Sequence, residues 1–446
     1  MAATNLSGVH PAHVRSTLEG HLLVDGYDFV LDTHNSQGSW LVDARDGSRY
    51  LDMFTFFASA PLGFNHPGIV GDAAFMAELA EVAANKPSNS DVYTTHLADF
   101  VRVFQRVLGD PRLPHLFLVS GGALAVENAL KAAFDWKRRH NAANGRDGSR
   151  GTKVLHLRHA FHGRSGYTLS LTNTDPAKTD LYPHFDWPRI PSPAIRFPLA
   201  EHLDEVVAAE QVSLEAARQA FRDHADDIAC TIVEPIQGEG GDNHFRAEYL
   251  QALQQITHDN DALFVVDEVQ TGAGSTGSPW VFQQLGLAPD LLAFGKKTQV
   301  CGVMGGGRIS EVADNVFSTS SRINSTWGGN LTDIVRSRRI WEIVERDDLI
   351  ANAAAMGEVL LARLQDLQGR HPRVSNARGL GTWGAIDLDT TAARNEVRRR
   401  LLQDERMFLL ACGQKSLRFR PHLAVTASEL LDACDRLERV LAALDG

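Results

Sequence analysis

A lysine placed where an apolar run ends is a candidate nucleophile. Leu291-Leu292-Ala293-Phe294-Gly295 leads directly into Lys296 and Lys297. Burial at such a point disfavours the charged amine, and an uncharged amine can condense with a carbonyl to form a Schiff base. Residue chemistry alone does not separate the two lysines. Upstream, Asp267 closes the apolar run Leu263-Phe264-Val265-Val266 and opens Glu268-Val269-Gln270-Thr271-Gly272. A carboxylate at the end of a buried strand needs a partner. It could hold a metal, cap a helix or neutralise a protonated ring nitrogen, and the lack of a nearby histidine cluster argues against the metal.

Two more stretches can bind. Ser120-Gly121-Gly122-Ala123 lies between a strand pattern and a helix pattern. Small residues there let backbone N–H groups approach an anion at the positive end of a helix. An ordinary tight strand-to-helix turn has the same composition, and the Gly-Lys-Ser/Thr of a P-loop is missing. Phe161-His162-Gly163-Arg164 offers a ring that can stack on a flat group and a guanidinium that can clamp a carboxylate. A core phenylalanine and a surface arginine would read the same way, and His162 reads as a packed core histidine.

Elements must bring these residues together. Apolar runs at 116–119, 154–157, 228–233, 262–266 and 291–294 predict buried strands, and amphipathic stretches such as 124–139 lie between them. Buried strands separated by helices imply an α/β architecture, a mostly parallel sheet flanked by helices. From 331 to 367 the pattern is helical, and strands follow at 383–388, 408–410 and 417–419. Thr426 with Glu429 predicts a capping box at the start of a last helix, and Val425 with Leu430 a hydrophobic staple. The segment 141–151 predicts an exposed turn. We read residues 61–330 as a large domain, 331–446 as a smaller C-terminal α/β domain, and 1–60 as a segment that joins the small domain and the site entrance.

Bulk properties set limits. The chain has 446 residues, 43% hydrophobic and 22% charged, with a formal net charge of −11. That balance argues against a sequence-independent grip on nucleic acid or on an anionic membrane. No apolar run reaches the length of a membrane span, and the N-terminus does not read as an export signal. Cys230, Cys301, Cys412 and Cys434 are scattered, with no paired spacing, which suggests neither a zinc site nor a disulfide framework and points to a reducing cytoplasm.

The order of the motifs carries more than any one of them. The stretches SGGALAVENALKAA, AFHGRSGYTLSLT, VEPIQGEGG, VVDEVQTGAGSTG, FGKKTQVCGVMGGG, NSTWGGNLT and SLRFRPHL resemble the class III aminotransferases, which bind pyridoxal 5'-phosphate on a fold-type I scaffold. In that family the cofactor lysine follows a small residue directly, which selects Lys296. Within the family, DMFTFFASAPLG, NKPSNSDVY, FHGRSGYTLSLTN and FGKKTQVCGVM resemble the lysine 6-aminotransferases. Many relatives carry Arg where this chain has Ser275, a departure that bears on fine specificity.

The resemblance implies roles. Lys296 would hold the cofactor and serve as acid and base, and Asp267 would keep the ring nitrogen protonated. Phe161 would stack on the ring, Gly122 and Ala123 would bind the phosphate, and Gln270 would contact the phenolic oxygen. Thr326 resembles the residue that reaches the phosphate from the neighbouring subunit, which implies a homodimer. Arg418, rather than Arg420, resembles the arginine for a substrate's α-carboxylate. Glu239 resembles the glutamate that masks it, and Arg164 would hold the far carboxylate. The implied reaction moves the ε-amino group of L-lysine to 2-oxoglutarate. Its products are L-glutamate and 2-aminoadipate 6-semialdehyde, which closes to 1-piperideine 6-carboxylate. An ornithine or 4-aminobutyrate aminotransferase would share these motifs.

Overall fold

The computed structural model describes residues 8–445. Residues 1–7, the start of the expected N-terminal segment, and residue 446 lie outside the described residues.

The central sheet has seven strands in the order His115–Val119, Cys301–Gly305, Leu291–Phe294, Leu263–Asp267, Ile228–Val233, Lys153–Leu157 and Arg189–Ile190. Its interior strands are buried on both faces, as their near-continuous apolar runs predict. Alternate residues go to opposite sides. Leu155, Leu157, Phe264, Val266, Leu292 and Phe294 join one cluster with Phe100 and Phe104 of the helix Thr95–Val107 and Leu250 and Leu253 of the helix Ala247–Asp259. Val154, Leu263, Val265, Leu291 and Ala293 join the other with Val126, Ala129, Leu130, Ala133 and Trp136 of the helix Gly122–Ala143. Each buried Val, Leu or Phe among them contributes about 1.5–3 kcal/mol by leaving water, so the two layers dominate the stability of this part.

Two strands of this sheet went unforeseen, the short edge strand Arg189–Ile190 and the interior strand Cys301–Gly305. Cys301–Gly305 runs antiparallel to both neighbours, pairing Gly302 with Phe294 and Cys301 with Val119. Its glycines kept it from reading as a strand, and they let it fit: a Cβ on Gly302 would lie 2.2 Å from the Phe117 carbonyl oxygen. The strand closes the connection after Lys296, so the lysine sits in a tight turn.

The expected helix at 331–367 is two helices, Leu331–Arg346 and Leu349–Arg370. They part at Asp348, whose φ of 49° is left-handed and cannot continue a right-handed helix. The first helix packs in the large cluster through Ile334, Trp341 and Val344. Leu349 and Ala353 still face that cluster, whereas Leu360, Leu364 and Leu367 face the C-terminal one. The core therefore changes within the second helix, past residue 330.

The C-terminal cluster covers an antiparallel sheet in the order Val374–Leu380, Trp383–Leu388, Ser416–Phe419 and Leu410–Cys412. The strand expected at 408–410 is divided. Met407–Phe408 pairs in parallel with Arg49–Asp52, while Leu410–Cys412 pairs with Ser416–Phe419. Leu51 and Met53 are buried among the C-terminal residues. Before the last helix, Ala427–Asp445, the Glu429 carboxylate accepts from the Thr426 N–H at 2.8 Å, and Val425 and Leu430 are buried in one cluster, as the cap pattern predicts. Among the described residues no helix is long and apolar enough to cross a membrane.

Candidate active site

The parallel strands end along one edge of the sheet, where α/β proteins place their ligands. Asp267 is in register with Ala293, and Lys296 follows one residue beyond Gly295. Val119 leads to Gly121, whose φ is 111°, and into the 22-residue helix Gly122–Ala143, which has no side-chain cap. The first-turn N–H groups of that helix are open to an anion. A cavity of about 390 Å3 collects Gly122, Ala123, Phe161, Arg164, Asp267, Gln270 and Lys296. Seven residues singled out in the sequence, from four separate stretches, therefore line one space.

Lys296 stands at φ 53° and Gln299 at φ 62°, left-handed values for residues that carry a Cβ. Such conformations cost on the order of 1–3 kcal/mol and persist where surrounding contacts enforce them. Here Gln299 Nε2 donates to the Ser59 carbonyl at 2.7 Å and the Gln299 N–H to the Lys296 carbonyl at 2.9 Å. Burial, reinforced by the nearby Arg418 guanidinium, lowers the Lys296 amine to about 8, against the opposing pull of Glu239 and Asp267. Lys297 points elsewhere: it is buried and its Nζ donates to the Gln270 carbonyl at 2.5 Å. The structure thus separates the two lysines, and only Lys296 lines the cavity.

Asp267 Oδ1 accepts from the Val269 N–H at 3.0 Å, and Oδ2 lies 2.8 Å from His162 Nδ1. Burial works against a charged His162, but the Asp267 carboxylate outweighs it and raises the imidazole above its ordinary value. The pair fixes the carboxylate's rotation. Glu234 holds the same loop from behind, its carboxylate accepting from the Phe161 N–H at 2.8 Å and the Gly238 N–H at 3.2 Å. Burial pushes that carboxyl up to about 7. Neither role was legible in the sequence. His162 beside Phe161 looked like core packing, and its partner is 105 positions away.

Arg164 is exposed, its guanidinium 5.9 Å from the centre of the Phe161 ring. Arg418 lies on the strand Ser416–Phe419 and Arg420 just past its end, and the two have different partners. Arg420 stacks on Trp383 at 3.5 Å and pairs with Asp242 at 2.5 Å. Arg418 Nη2 donates to Glu239 Oε2 at 2.8 Å, and its buried Nε has no hydrogen-bond partner. Ser275 is buried and accepts from Trp383 Nε1 at 3.0 Å. Thr326 stands apart, exposed on a loop and outside the cavity of its own chain.

The N-terminal segment, expected near the site entrance, brings a turn beside the lysine whose backbone course the sequence did not announce. Thr55, Phe56, Phe57 and Ala58 all have φ between 42° and 64°, a left-handed turn without glycine. Asp52 accepts from the Thr55 N–H at 2.8 Å, and Thr55 Oγ1 donates to the Arg420 carbonyl at 2.6 Å. The turn holds the Phe57 ring 5.9 Å from Lys296 Nζ.

A recessed amine, a fixed carboxylate beneath an apolar slot and an open helix start define a pyridoxal-phosphate site on a fold-type I scaffold. The aminotransferase class-III family matches residues 24–441, and the chain belongs to it. It is 58% identical over 442 residues to an L-lysine-epsilon aminotransferase of Amycolatopsis lactamdurans, covering 99% of this chain and 98% of that protein. A second L-lysine-epsilon aminotransferase, from Streptomyces clavuligerus, is 57% identical over 442 residues, covering 99% of this chain and 96% of that one. The solved lysine aminotransferase from M. tuberculosis in the internal aldimine form superposes with a TM-score of 0.96 at 55% identity, covering 98% of this chain and all of that one. The family's cofactor is pyridoxal 5'-phosphate, and the residues fit it. A Cβ on Gly122 would meet Val269 Cγ1 at 2.8 Å, so the cradle at the helix start is closed to any larger side chain.

Proposed function

We propose that this enzyme transfers the ε-amino group of L-lysine to 2-oxoglutarate, giving L-glutamate and 2-aminoadipate 6-semialdehyde. The observation that carries the reading is the Glu239–Arg418 pair at 2.8 Å, in a chain 58% identical to an L-lysine-epsilon aminotransferase. Two unlike amines must use one site. Glutamate brings a carboxylate next to its amine, and the ε-end of lysine brings none. A buried guanidinium left alone beside a methylene chain would be costly. Glu239 neutralises Arg418 while lysine is bound and gives way to the α-carboxylate of glutamate, and Arg164 holds the far carboxylate of either donor.

When bound, pyridoxal phosphate supplies an electrophilic carbon for the amine and a ring that withdraws electrons. Around it, Gly122 and Ala123 N–H groups would hold the phosphate, and Phe161 and Val269 would enclose the ring. Asp267, fixed by His162, would keep a proton on the ring nitrogen, and Gln270 would orient the phenolic oxygen. Lys296 Nζ would be the base that takes a proton from the substrate's amine-bearing carbon and the acid that delivers it to the cofactor's electrophilic carbon. The product carries an aldehyde and an amine on one chain, so closure to the cyclic imine is favoured by proximity. The enzyme works as a homodimer in the cytoplasm. The exposed Thr326 loop and a groove of about 500 Å3 beside the edge strand, lined by Leu97, Val101, Leu116 and Phe117, support the dimer. Four free, buried cysteines support the compartment.

A donor panel of lysine, ornithine and 4-aminobutyrate with 2-oxoglutarate tests the assignment. Lysine should give the highest kcat/KM with release of both glutamate and the cyclic imine, and a higher value with ornithine would reverse it. Glu239→Ala should lower the lysine half-reaction more than the glutamate half-reaction, whereas equal losses would remove the masking role.

A further inference from the structure

Glu239 has a second cation. Its Oε2 meets Arg418 Nη2 at 2.8 Å, and its Oε1 meets Lys178 Nζ, also at 2.8 Å. The two cations differ in depth. Arg418 is 1% exposed at its side chain, whereas Lys178 is 17% and Glu239 28% exposed. Lys178 thus lies on the outer side of the carboxylate. It ends the short turn Pro176–Lys178, which Asp175 caps by accepting from the Ala177 N–H at 3.0 Å. Its ammonium is also 3.5 Å from Thr174 Oγ1 and 5.6 Å from the centre of the Phe161 ring, contacts that do not depend on Glu239. On this side Glu239 and Lys178 border a polar cavity of about 930 Å3, so the carboxylate has room to turn without leaving the lysine.

We propose that Lys178 is the outer anchor of the gate, the cation that keeps Glu239 when it leaves Arg418 and so sets how readily the enzyme enters the glutamate half-reaction. The proposal rests on the masking role given to Glu239 above. Charge balance gives it a physical basis. With lysine bound, Glu239 is shared between Arg418 and Lys178. With glutamate bound, the substrate carboxylate pairs with Arg418 and Glu239 pairs with Lys178, so no charge is left alone in either state. Without Lys178 the displaced carboxylate would sit partly buried with no counter-ion, which disfavours the open state. Lys178 acts through Glu239 and is therefore a positioning residue.

The test compares single-turnover half-reactions of the holoenzyme with L-lysine and L-glutamate. K178M should shift the glutamate-to-lysine ratio of kcat/KM about tenfold against glutamate, the size of a typical coupling between contacting charged groups, chiefly through the KM for glutamate. K178R should restore the ratio to within about threefold, because it keeps the charge. On an E239A background K178M should no longer move the ratio. Equal losses with both donors, or a shift that survives in E239A, would overturn the anchor and make Lys178 a structural or substrate-binding residue. If E239A alone leaves the ratio unmoved, the masking role fails and the anchor with it. If E239A moves it and K178M does not, the anchor alone fails.

Discussion

The amine of Lys296 is useful because the fold makes it easier to deprotonate than a free lysine. Burial, with Arg418 nearby, brings it to about 8. A protonated amine has no lone pair with which to condense. In the apoenzyme, cofactor capture should therefore speed up as pH rises and level off just above about 8. A free lysine would level off near 10.4. Stopped-flow growth of the cofactor's visible absorbance measures this, and a rate still climbing at pH 10 would show that the depression is absent. At this scale the sequence was informative about residue types that end strands, since Asp267 and Lys296 each follow an unbroken apolar run. It was silent on pairs made by folding: His162 with Asp267, Lys178 with Glu239, and the distinct partners of Arg418 and Arg420. Those depend on distances between strands that no local pattern encodes.

Among the elements, the loop at Phe161–Arg164 and the start of the helix Gly122–Ala143 form one device. Gly163 has φ 132°, and a Cβ there would lie 2.6 Å from the Ala123 Cβ and 2.7 Å from Thr168 Oγ1. Only glycine meets both the dihedral and the space. Gly163→Ala should push Ala123 out of line at the phosphate and weaken cofactor binding about 5- to 150-fold, given a strain of roughly 1–3 kcal/mol. Titration of the apoenzyme with pyridoxal phosphate reads it, and unchanged affinity would show that the close approach does not matter. The elements themselves were legible wherever one periodicity ran unbroken, as in the five apolar strands. They were misread where backbone geometry prevailed over composition. Asp348 splits one long helical pattern by a single left-handed residue. Cys301–Gly305 is a strand built on small residues, chosen by the narrow space beside Phe117. The left-handed turn at 55–58 contains no glycine, so nothing in TFFA announces it.

For the whole molecule, the question is whether one chain completes a site. Thr326 is exposed and outside the cavity of its own chain, whereas the remaining nine candidate residues lie in the cavity or in the Glu239–Arg418 pair bordering it. If Thr326 serves the partner's phosphate, T326D places a carboxylate beside that phosphate and should inactivate the neighbouring site. K296A inactivates its own. A hybrid of one K296A and one T326D chain then holds one doubly damaged site and one intact site. Mixed dimers should recover about half the activity of the native dimer, per dimer, where each parent has almost none. Activity no greater than the sum of the parents would mean that Thr326 acts within its own chain, or not at all. The sequence hinted at this arrangement only through its family resemblance, because a contact between chains leaves no periodic signature in one of them.

Amino transfer by this chain depends most on the bond between Lys296 and the cofactor. Borohydride reduction of the holoenzyme, followed by peptide mapping, should place a single pyridoxyl label on the Nζ of Lys296 and none on the adjacent Lys297. A label on Lys297, on another residue or on none would contradict it.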